Sequence, residues 1–133
     1  MRQVVLDTDV SSRLIKGRRD QVRALRHVGS AWCVSFVTVG ELWRWVAAGG
    51  STPGLRAKVD SWLQGVAVLD SDESTARTWG EISAYASRRG RPRPQNDSWI
   101  AACCLANDLP LMTANIKDYT DFVEHEGLTL LHP

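Results

Sequence analysis

Short apolar runs alternate with amphipathic segments along most of this chain. The runs have the β-branched and aromatic character of strands, which we expect at residues 4–6, 31–36, 66–69, 111–113 and 128–131. We expect the strand at residues 66–69 to be buried. Between the runs, apolar residues recur at the three- and four-residue spacing of helices that pack on a sheet.

Polar capping residues and glycines mark where those helices begin and end. A first helix begins in the cluster at residues 7–12 and stops at Gly17. Further helices are expected at residues 18–28, 38–48, 55–63, 73–86 and 96–108. Parallel strands need crossover connections of this kind, so the alternation predicts an α/β fold with a mostly parallel sheet covered on both faces.

The composition fits a single domain over residues 1–133 in a reducing compartment. Of the 133 residues, 44% are hydrophobic and 23% are charged, as in one globular core. The three cysteines are odd in number, and Cys103 and Cys104 are adjacent, which argues against a disulfide framework and indicates a cytoplasmic protein. No apolar run approaches the roughly 20 residues of a membrane span, so we expect no membrane role.

Opposite charges gather in different parts of the chain, although the net charge is only +1. Residues 1–30 contain seven Lys or Arg and three acids, whereas residues 95–133 contain one Lys and six acids. A basic flank beside an acidic site suits a protein that handles a polyanion near a divalent metal, but solvated helices give the same counts. Charge alone leaves both interpretations open.

Two acids lie where predicted strands give way to helices. Asp7 follows the first strand directly, at the sheet edge where α/β proteins bind ligands; the alternative is that Asp7, Thr8 or Asp9 only caps the next helix. Glu41 lies three residues after Thr38, which matches a capping box, yet it also lies beside the apolar stripe of its helix. Both acids therefore keep a capping and a functional interpretation.

Asp97 is the acid that capping explains least well. The residues that follow it, beginning with Ile100 and Ala101, have the spacing of a core-facing helical stripe. A carboxylate at the margin of a core is costly unless it is paired or bound to a metal. Asn96 can cap the helix without it, so the position of Asp97 favours a functional role.

The segment after the fourth predicted strand adds Asn115 and Asp118, and the hydroxyl of Thr113 can orient either of them. Caps and turns also explain such residues. However, four separate segments then bring acids or amides to the helix starts of one sheet, and unpaired carboxylates in one cleft repel unless a cation lies between them. Oxygen ligands of this kind favour Mg²⁺ or Mn²⁺ over zinc.

Four blocks of the sequence, in this order and spacing, resemble the motifs of PIN-domain ribonucleases. They read VLDTDV at residues 5–10, TVGEL at 38–42, NDSWIAA at 96–102 and LMTANIKDY at 111–119. The size and the closing segment are similar to the VapC toxins of bacterial toxin–antitoxin pairs. The resemblance implies a three-layer α/β/α sandwich, Mg²⁺- or Mn²⁺-dependent cleavage of RNA, frequent homodimerisation and inhibition by a cognate antitoxin protein.

The resemblance also implies which residues form the site. The catalytic and metal-binding acids would be Asp7, Glu41, Asp97 and Asp118. Members of the family differ over whether the fourth ligand lies at the position of Asn115 or of Asp118; because Asn115 is an amide, we favour Asp118. Asp9 stands where a neutral residue is common and either tightens metal binding or caps the helix. The expected supporting residues are Thr8, Asp9, Thr113 and Asn115.

In the mechanism expected for such a site, Asp7 and Asp97 hold the main metal, while Glu41 and Asp118 hold a second ion or the attacking water. His27, His125 and His132 lie away from the four blocks. We therefore expect no histidine base.

A basic loop directly precedes Asp97. Two prolines and a glycine prevent a helix through residues 88–94, so we expect its arginines to be exposed and to bind phosphates beside the scissile bond. Single-stranded or looped RNA is the expected substrate, because a duplex resists entering a recessed acidic site. The expected RNA-binding residues are Arg88, Arg89, Arg91, Arg93, Arg13 and Lys16.

Two other functions remain open at this point. Residues 4–10 also fit the opening of haloacid-dehalogenase-like phosphatases, in which Asp7 is the nucleophile, but that class leaves Glu41 and Asp97 unexplained. The third hypothesis is a non-catalytic RNA- or protein-binding module with a degenerate site, and the amide of Asn115 is its only hint.

Overall fold

Helices and strands alternate regularly in the computed structural model, which describes residues 3–18, 31–49 and 53–133. The elements of the described part are β1 Gln3–Leu6, α1 Thr8–Ile15, β2 Ala31–Ser35, α2 Phe36–Ala47, α3 Leu55–Gln64, β3 Ala67–Leu69, α4 Glu73–Arg88, α5 Gln95–Ala106, β4 Leu111–Met112, α6 Ile116–Glu126 and β5 Leu130–Leu131. Of the helix predicted at residues 18–28, all but residue 18 lies outside the described residues, as does His27.

The strands form a parallel sheet in the order β3-β2-β1-β4-β5. The first strand is central, with Val5 of β1 beside Cys33 of β2 and Leu111 of β4. Because the strands run in one direction, their carboxyl ends share one edge of the sheet. Asp7 follows β1 and Thr113 follows β4 at that edge, which places segments from opposite ends of the chain side by side.

Helices cover both faces of the sheet. Successive residues of β1 point to opposite sides, so Val5 packs with Ile100 of α5 and Phe122 of α6, whereas Leu6 packs with Val10 of α1. The three layers confirm the predicted α/β/α sandwich with a parallel sheet.

A smaller apolar cluster brings α2 beside α1. Leu42 of α2 packs with Ile15 of α1 and Val59 of α3, and all three side chains are buried. Leu42 follows Glu41 in sequence, so this packing sets the position of the Glu41 carboxylate relative to the start of α1.

The strand predicted at residues 66–69 forms, but the prediction that it is buried is wrong. β3 spans Ala67–Leu69 at the edge of the sheet, where it pairs only with β2 among the described strands. Val68 remains 41% exposed. An apolar run shows that a strand is favoured, but it does not show how many neighbours the strand receives.

The helix at Ile116–Glu126 was not predicted from the sequence. Tyr119 and Phe122 form its buried side at a spacing of three residues. The helix ends at Gly127, whose φ of 73° is the left-handed conformation that glycine adopts readily. None of the described helices is both long and apolar enough to cross a bilayer.

Candidate active site

Asp7 lies buried between the end of β1 and the start of α1. It is the N-cap residue of α1, as the capping interpretation expects, and its Oδ1 accepts the Thr8 backbone N–H at 2.8 Å. Its Oδ2 accepts the Thr113 hydroxyl, also at 2.8 Å, from the segment after β4. Thr113 is buried and in turn accepts the Asn115 N–H at 3.0 Å. The carboxylate is therefore held by two segments from opposite ends of the chain.

The charged form of Asp7 is disfavoured in the folded protein. The pKa of Asp7 is raised to about 6, and burial is the largest cause. The nearby charges of Asp9 and Asp97 contribute to this rise, while the hydrogen bonds from Thr113 and Thr8 oppose it. Asp7 lies within electrostatic reach of Asp97, as the parallel-sheet prediction required.

The capping box predicted for Glu41 is wrong. The N-cap of α2 is Ser35, whose Oγ accepts the Thr38 N–H at 3.2 Å, so the helix begins before Thr38. Glu41 Oε1 instead accepts the Thr8 hydroxyl at 2.7 Å, and Thr8 Oγ1 lies 3.1 Å from Thr38 Oγ1. The Glu41 side chain is thus directed to the start of α1, beside Asp7.

Asp97 lies half-buried in the first turn of α5. Burial raises the pKa of Asp97, and the charges of Asp118 and Glu41 add to that shift. The phenol of Tyr119 donates to Asp97 Oδ1 at 3.3 Å and opposes the shift. Asp97 therefore lies among the carboxylates that the sequence analysis grouped with it.

Asp118 and Asn115 lie at the start of α6. Asp118 is exposed in the first turn, and Asn115 is exposed at the N-cap position. Tyr119 follows Asp118 and is buried in the core. Burial and the charges of Asp7 and Asp97 raise the pKa of Tyr119, so its phenol stays protonated and can donate a hydrogen bond. Sequence analysis missed this role of Tyr119, since an aromatic residue in a helical stripe reads as core.

Asp9 has a structural part in the site. Its Oδ2 accepts the Ala114 N–H at 3.1 Å, and its Oδ1 accepts the Val10 N–H at 2.9 Å. The side chain therefore ties the start of α1 to the segment that follows β4, close to Thr113.

The four acids share a lack of positive partners in the part of the chain that the structure describes. Within residues 3–18, 31–49 and 53–133, no Lys or Arg forms an ion pair with Asp7, Glu41, Asp97 or Asp118. Three of them are anchored by neutral hydroxyl donors, which orient an oxygen without cancelling its charge. A set of uncompensated carboxylate oxygens is the donor chemistry that a hard divalent cation fits.

Asp121 shows what a compensated acid looks like in the same protein. Hydrogen bonds from Arg89 and then Arg93 lower the pKa of Asp121 to about 2. Asp121, Glu124 and His125 have ligand atoms within 4.8 Å of one another, but the two arginines already neutralise Asp121. This second cluster lacks the unbalanced negative charge of the first.

The prediction that the loop arginines are exposed is wrong for two of the four. Arg89 Nη2 lies 2.6 Å from Asp121 Oδ2, and Arg93 Nε lies 2.7 Å from the same oxygen. Arg93 also pairs with Glu126 and lies over the Phe122 ring, and its side chain is only 5% exposed. These guanidinium groups serve the fold.

The other predicted RNA-binding residues differ in their surroundings. Arg88 and Arg91 are exposed. On α1, Arg13 is half-buried, and Lys16 is exposed with its Nζ 5.2 Å from the centroid of the Trp45 ring.

His125 and His132, the two histidines that the structure describes, lie away from the four acids. His125 Nδ1 lies 3.4 Å from the Tyr85 hydroxyl, and its Nε2 lies 3.5 Å from Asp121. His132 is exposed near the end of the chain.

Comparison with known proteins gives consistent matches along the chain. The PIN domain family matches residues 4–121. Ribonuclease VapC4 of Mycobacterium tuberculosis is 30% identical over 132 residues, which covers 98% of each protein. The tRNA(fMet)-specific endonuclease VapC of Shigella flexneri is 28% identical over 120 residues, covering 90% of this chain and 91% of that protein.

The fold is similar to that of a solved complex. The crystal structure of DNA-bound VapBC from Salmonella typhimurium superposes with a TM-score of 0.85 at 25% identity, covering 99% of this chain and 98% of that one. The similarity includes all the segments that carry the four acids.

Proposed function

The chain belongs to the PIN-domain family and to its VapC proteins, and on this basis we propose that it is a metal-dependent endoribonuclease, the toxin of a type II toxin–antitoxin pair. We propose further that residues 1–133 act as one PIN domain. The observation that carries the proposal is the convergence of Asp7, Glu41 and Asp97 at the carboxyl edge of the sheet, with no ion-pair partner among the residues that the structure describes.

The residues divide into metal holders and groups that orient them. Asp7 and Asp97 would hold the main cation, and Glu41 and Asp118 a second cation or the attacking water. A bound Mg²⁺ or Mn²⁺ supplies a water of lowered pKa and neutralises charge on the phosphate.

The supporting residues keep the acids in place. Thr113, Thr8 and Tyr119 fix one oxygen each of Asp7, Glu41 and Asp97. Asp9 and Asn115 complete this support, Asp9 through Ala114 N–H and Asn115 through its N–H to Thr113.

A carboxylate is the proton acceptor that this site offers. The described histidines have other contacts, and Glu41 and Asp118 are the acids assigned to the water. Glu41 Oε1 accepts the Thr8 hydroxyl, which orients the carboxylate and leaves its remaining acceptor sites for the water.

The relatives suggest the partners. We propose single-stranded or looped RNA as the substrate, a cognate antitoxin protein as inhibitor, a homodimer as the assembled form, and the cytoplasm as the location. A groove of about 380 Å³ between α1 and α3, lined in part by Leu14, Ile15 and Trp62, offers an apolar surface for an amphipathic antitoxin helix.

The phosphatase alternative leaves part of this site without a role. Glu41 is directed to the start of α1 beside Asp7, and Asp97 lies within electrostatic reach of Asp7, yet the phosphatase reaction gives neither acid a function.

Replacement of Asp97 by Asn tests the proposed reaction. We expect Asp97→Asn to lower Mg²⁺- or Mn²⁺-dependent cleavage of RNA by at least about 100-fold, the scale on which loss of one stabilising group acts in catalysis. Cleavage is measured on a labelled single-stranded RNA, with and without EDTA. Asp60→Asn, an exposed acid of α3, is the matched control and should cleave normally.

Two results would contradict the proposal. Undiminished cleavage by Asp97→Asn, with its fold checked by circular dichroism, would remove the acidic site from the reaction. RNA binding by the wild-type protein without any cleavage would favour the non-catalytic binding module.

A further inference from the structure

A groove opens beside Asp97, between the loop that follows α4 and the exposed side of α6. Its volume is about 470 Å³, within the range of roughly 300–1,000 Å³ typical of ligand pockets. The charged residues that line it are three cations, Arg91, Arg93 and Lys117, and four acids, Asp97, Asp118, Asp121 and Glu124. The groove is therefore continuous with two of the four acids in the proposed metal site.

Two of the three cations that line this groove lie on its opposite walls and are separate from the Arg93–Asp121 pair. Arg91 belongs to the loop, and Lys117 lies in the first turn of α6 next to Asp118. Both are exposed, and within the described part of the chain neither side chain forms an ion pair or a hydrogen bond. Their charges are available to a ligand.

The backbone at Arg91 is held by hydrogen bonding, although the Arg91 side chain is exposed. The Arg91 backbone N–H donates to the Ala86 carbonyl at 3.0 Å, and the preceding Gly90 has a φ of 74° that favours glycine. On its other side, Arg93 is locked onto Asp121 and Phe122. The loop thus presents Arg91 from a fixed backbone, which reduces the entropy lost when a ligand binds.

Position in the groove separates Arg91 from the other arginines of the loop. Arg89 and Arg93 both form ion pairs with Asp121, and Arg93 also pairs with Glu126. Arg88 is exposed, but it is not among the residues that line the groove. Arg91 alone of these four both lines the groove and keeps an unpaired charge.

We propose that this groove binds the RNA strand next to the scissile phosphate, with Arg91 and Lys117 contacting backbone phosphates from its two walls. The assignment rests on the proposed ribonuclease function, because it takes the reacting phosphate to lie at Asp97 and Asp118. Contacts of this kind position the backbone and carry no base preference.

RNA binding by charge-removing variants tests the assignment. Arg91→Gln and Lys117→Gln should each weaken binding of a short fluorescein-labelled single-stranded RNA by about 5- to 10-fold. The slope of log affinity against log salt should become shallower by about 0.7 for each phosphate of the single strand that is no longer neutralised by a cation. Binding is followed by fluorescence anisotropy in the Glu41→Gln background, which prevents cleavage during the titration.

Matched variants show whether the groove or the general charge is responsible. Arg77→Gln removes an exposed arginine from α4, away from the groove, and should leave affinity and slope unchanged. Arg88→Gln should lose clearly less affinity than Arg91→Gln, and Arg91→Lys should restore most of the binding. If Arg91→Gln and Lys117→Gln bind like Arg77→Gln, or if Arg88→Gln loses as much as they do, the groove assignment is wrong.

Failure of the groove and failure of the proposed function give different results. Mn²⁺ affinity, measured by electron paramagnetic resonance, should not fall in Arg91→Gln or Lys117→Gln, since both changes remove positive charge beside a cation site. If Asp97→Asn abolishes cleavage while the groove variants bind normally, only the groove is misassigned. If Asp97→Asn cleaves normally, the proposed reaction fails whatever the binding results.

Discussion

Asp7 is held in the folded chain at a cost to stability. The residue is only 6% exposed, and burial is the main reason that its pKa rises to about 6. A carboxyl whose pKa is higher in the folded than in the unfolded state destabilises the fold whenever it is ionised. The buried Asp7 carboxylate therefore does not stabilise the fold, and its position suits the binding of a ligand.

Replacing Asp7 by Asn should stabilise the metal-free protein at neutral pH. The shift from 3.8 to about 6 corresponds to a gain on the order of 2 to 3 kcal/mol at about 1.4 kcal/mol per pKa unit. The amide oxygen can still accept from Thr8, and its NH₂ can donate to Thr113. Urea unfolding in EDTA measures the difference between variant and wild type.

The pH dependence of that difference follows from the direction of the shift. Wild-type Asp7 takes up its proton as pH falls through about 6, before the unfolded chain does, so the wild type gains stability relative to Asp7→Asn between about pH 6 and pH 4. The advantage of the variant should shrink over that range. A variant less stable than wild type at pH 8 would contradict this account.

At the level of helices and strands, the local sequence pattern predicts whether a segment is a helix or a strand. It predicts less well how buried that segment becomes. The strand at β1 and the helices at α1, α3, α4 and α5 follow from apolar spacing and capping residues. The positions of Asp7 after β1 and of Asp97 in the first turn of α5 follow with them. The exposure of β3 is not local in this sense, because it depends on which strands become its neighbours. The N-cap at Ser35 is local, but Ser35 and Thr38 are both capping residue types, so the sequence does not decide between them.

The arginine loop shows the same limit most clearly. Its prolines and glycine correctly predict a break between helices, but Arg89 and Arg93 pair with an acid 32 and 28 residues away. Nothing near them in sequence indicates that partner. Position in the fold, rather than local charge, decides which arginines remain available to RNA.

Arg93 should be essential to the packing of α6 against the loop. Arg93→Met removes the partner of Glu126, whose side chain is only 11% exposed, and loss of one member of a buried pair typically costs about 3–5 kcal/mol. Urea unfolding should show a loss on that scale, whereas Arg91→Gln should stay within about 0.5 kcal/mol of wild type.

A double variant separates the buried charge from the packing. Arg93→Met with Glu126→Gln removes the unpaired carboxylate and should recover part of the lost stability, since Asp121 keeps Arg89. Wild-type stability in Arg93→Met alone would show that the pair contributes nothing to the fold.

For the molecule as a whole, the four acids come from segments that span residues 7 to 118. Under the proposed function, a cation held by them would join α1, α2, α5 and α6, so it would bind the folded chain much better than the unfolded one. Mg²⁺ or Mn²⁺ at about 100 times its Kd should raise the free energy of unfolding by about 2.7 kcal/mol.

Thermal unfolding during a metal titration measures this linkage. The rise in Tm should be lost in Asp97→Asn and retained in the Asp60→Asn control. A potassium salt of equal ionic strength should have little effect. An equal rise in Tm for wild type and Asp97→Asn would place the cation elsewhere on the protein.

The central position of β1 decides when an active molecule comes into being. A ribosome makes Asp7 106 residues before Thr113, whose hydroxyl fixes it, and β4 beside β1 is also made after the intervening elements. A nascent polypeptide therefore carries the first acid without its anchoring partner until Thr113 has been made. Under the proposed activity, a nascent chain gains its nuclease centre only after this later segment has left the ribosome.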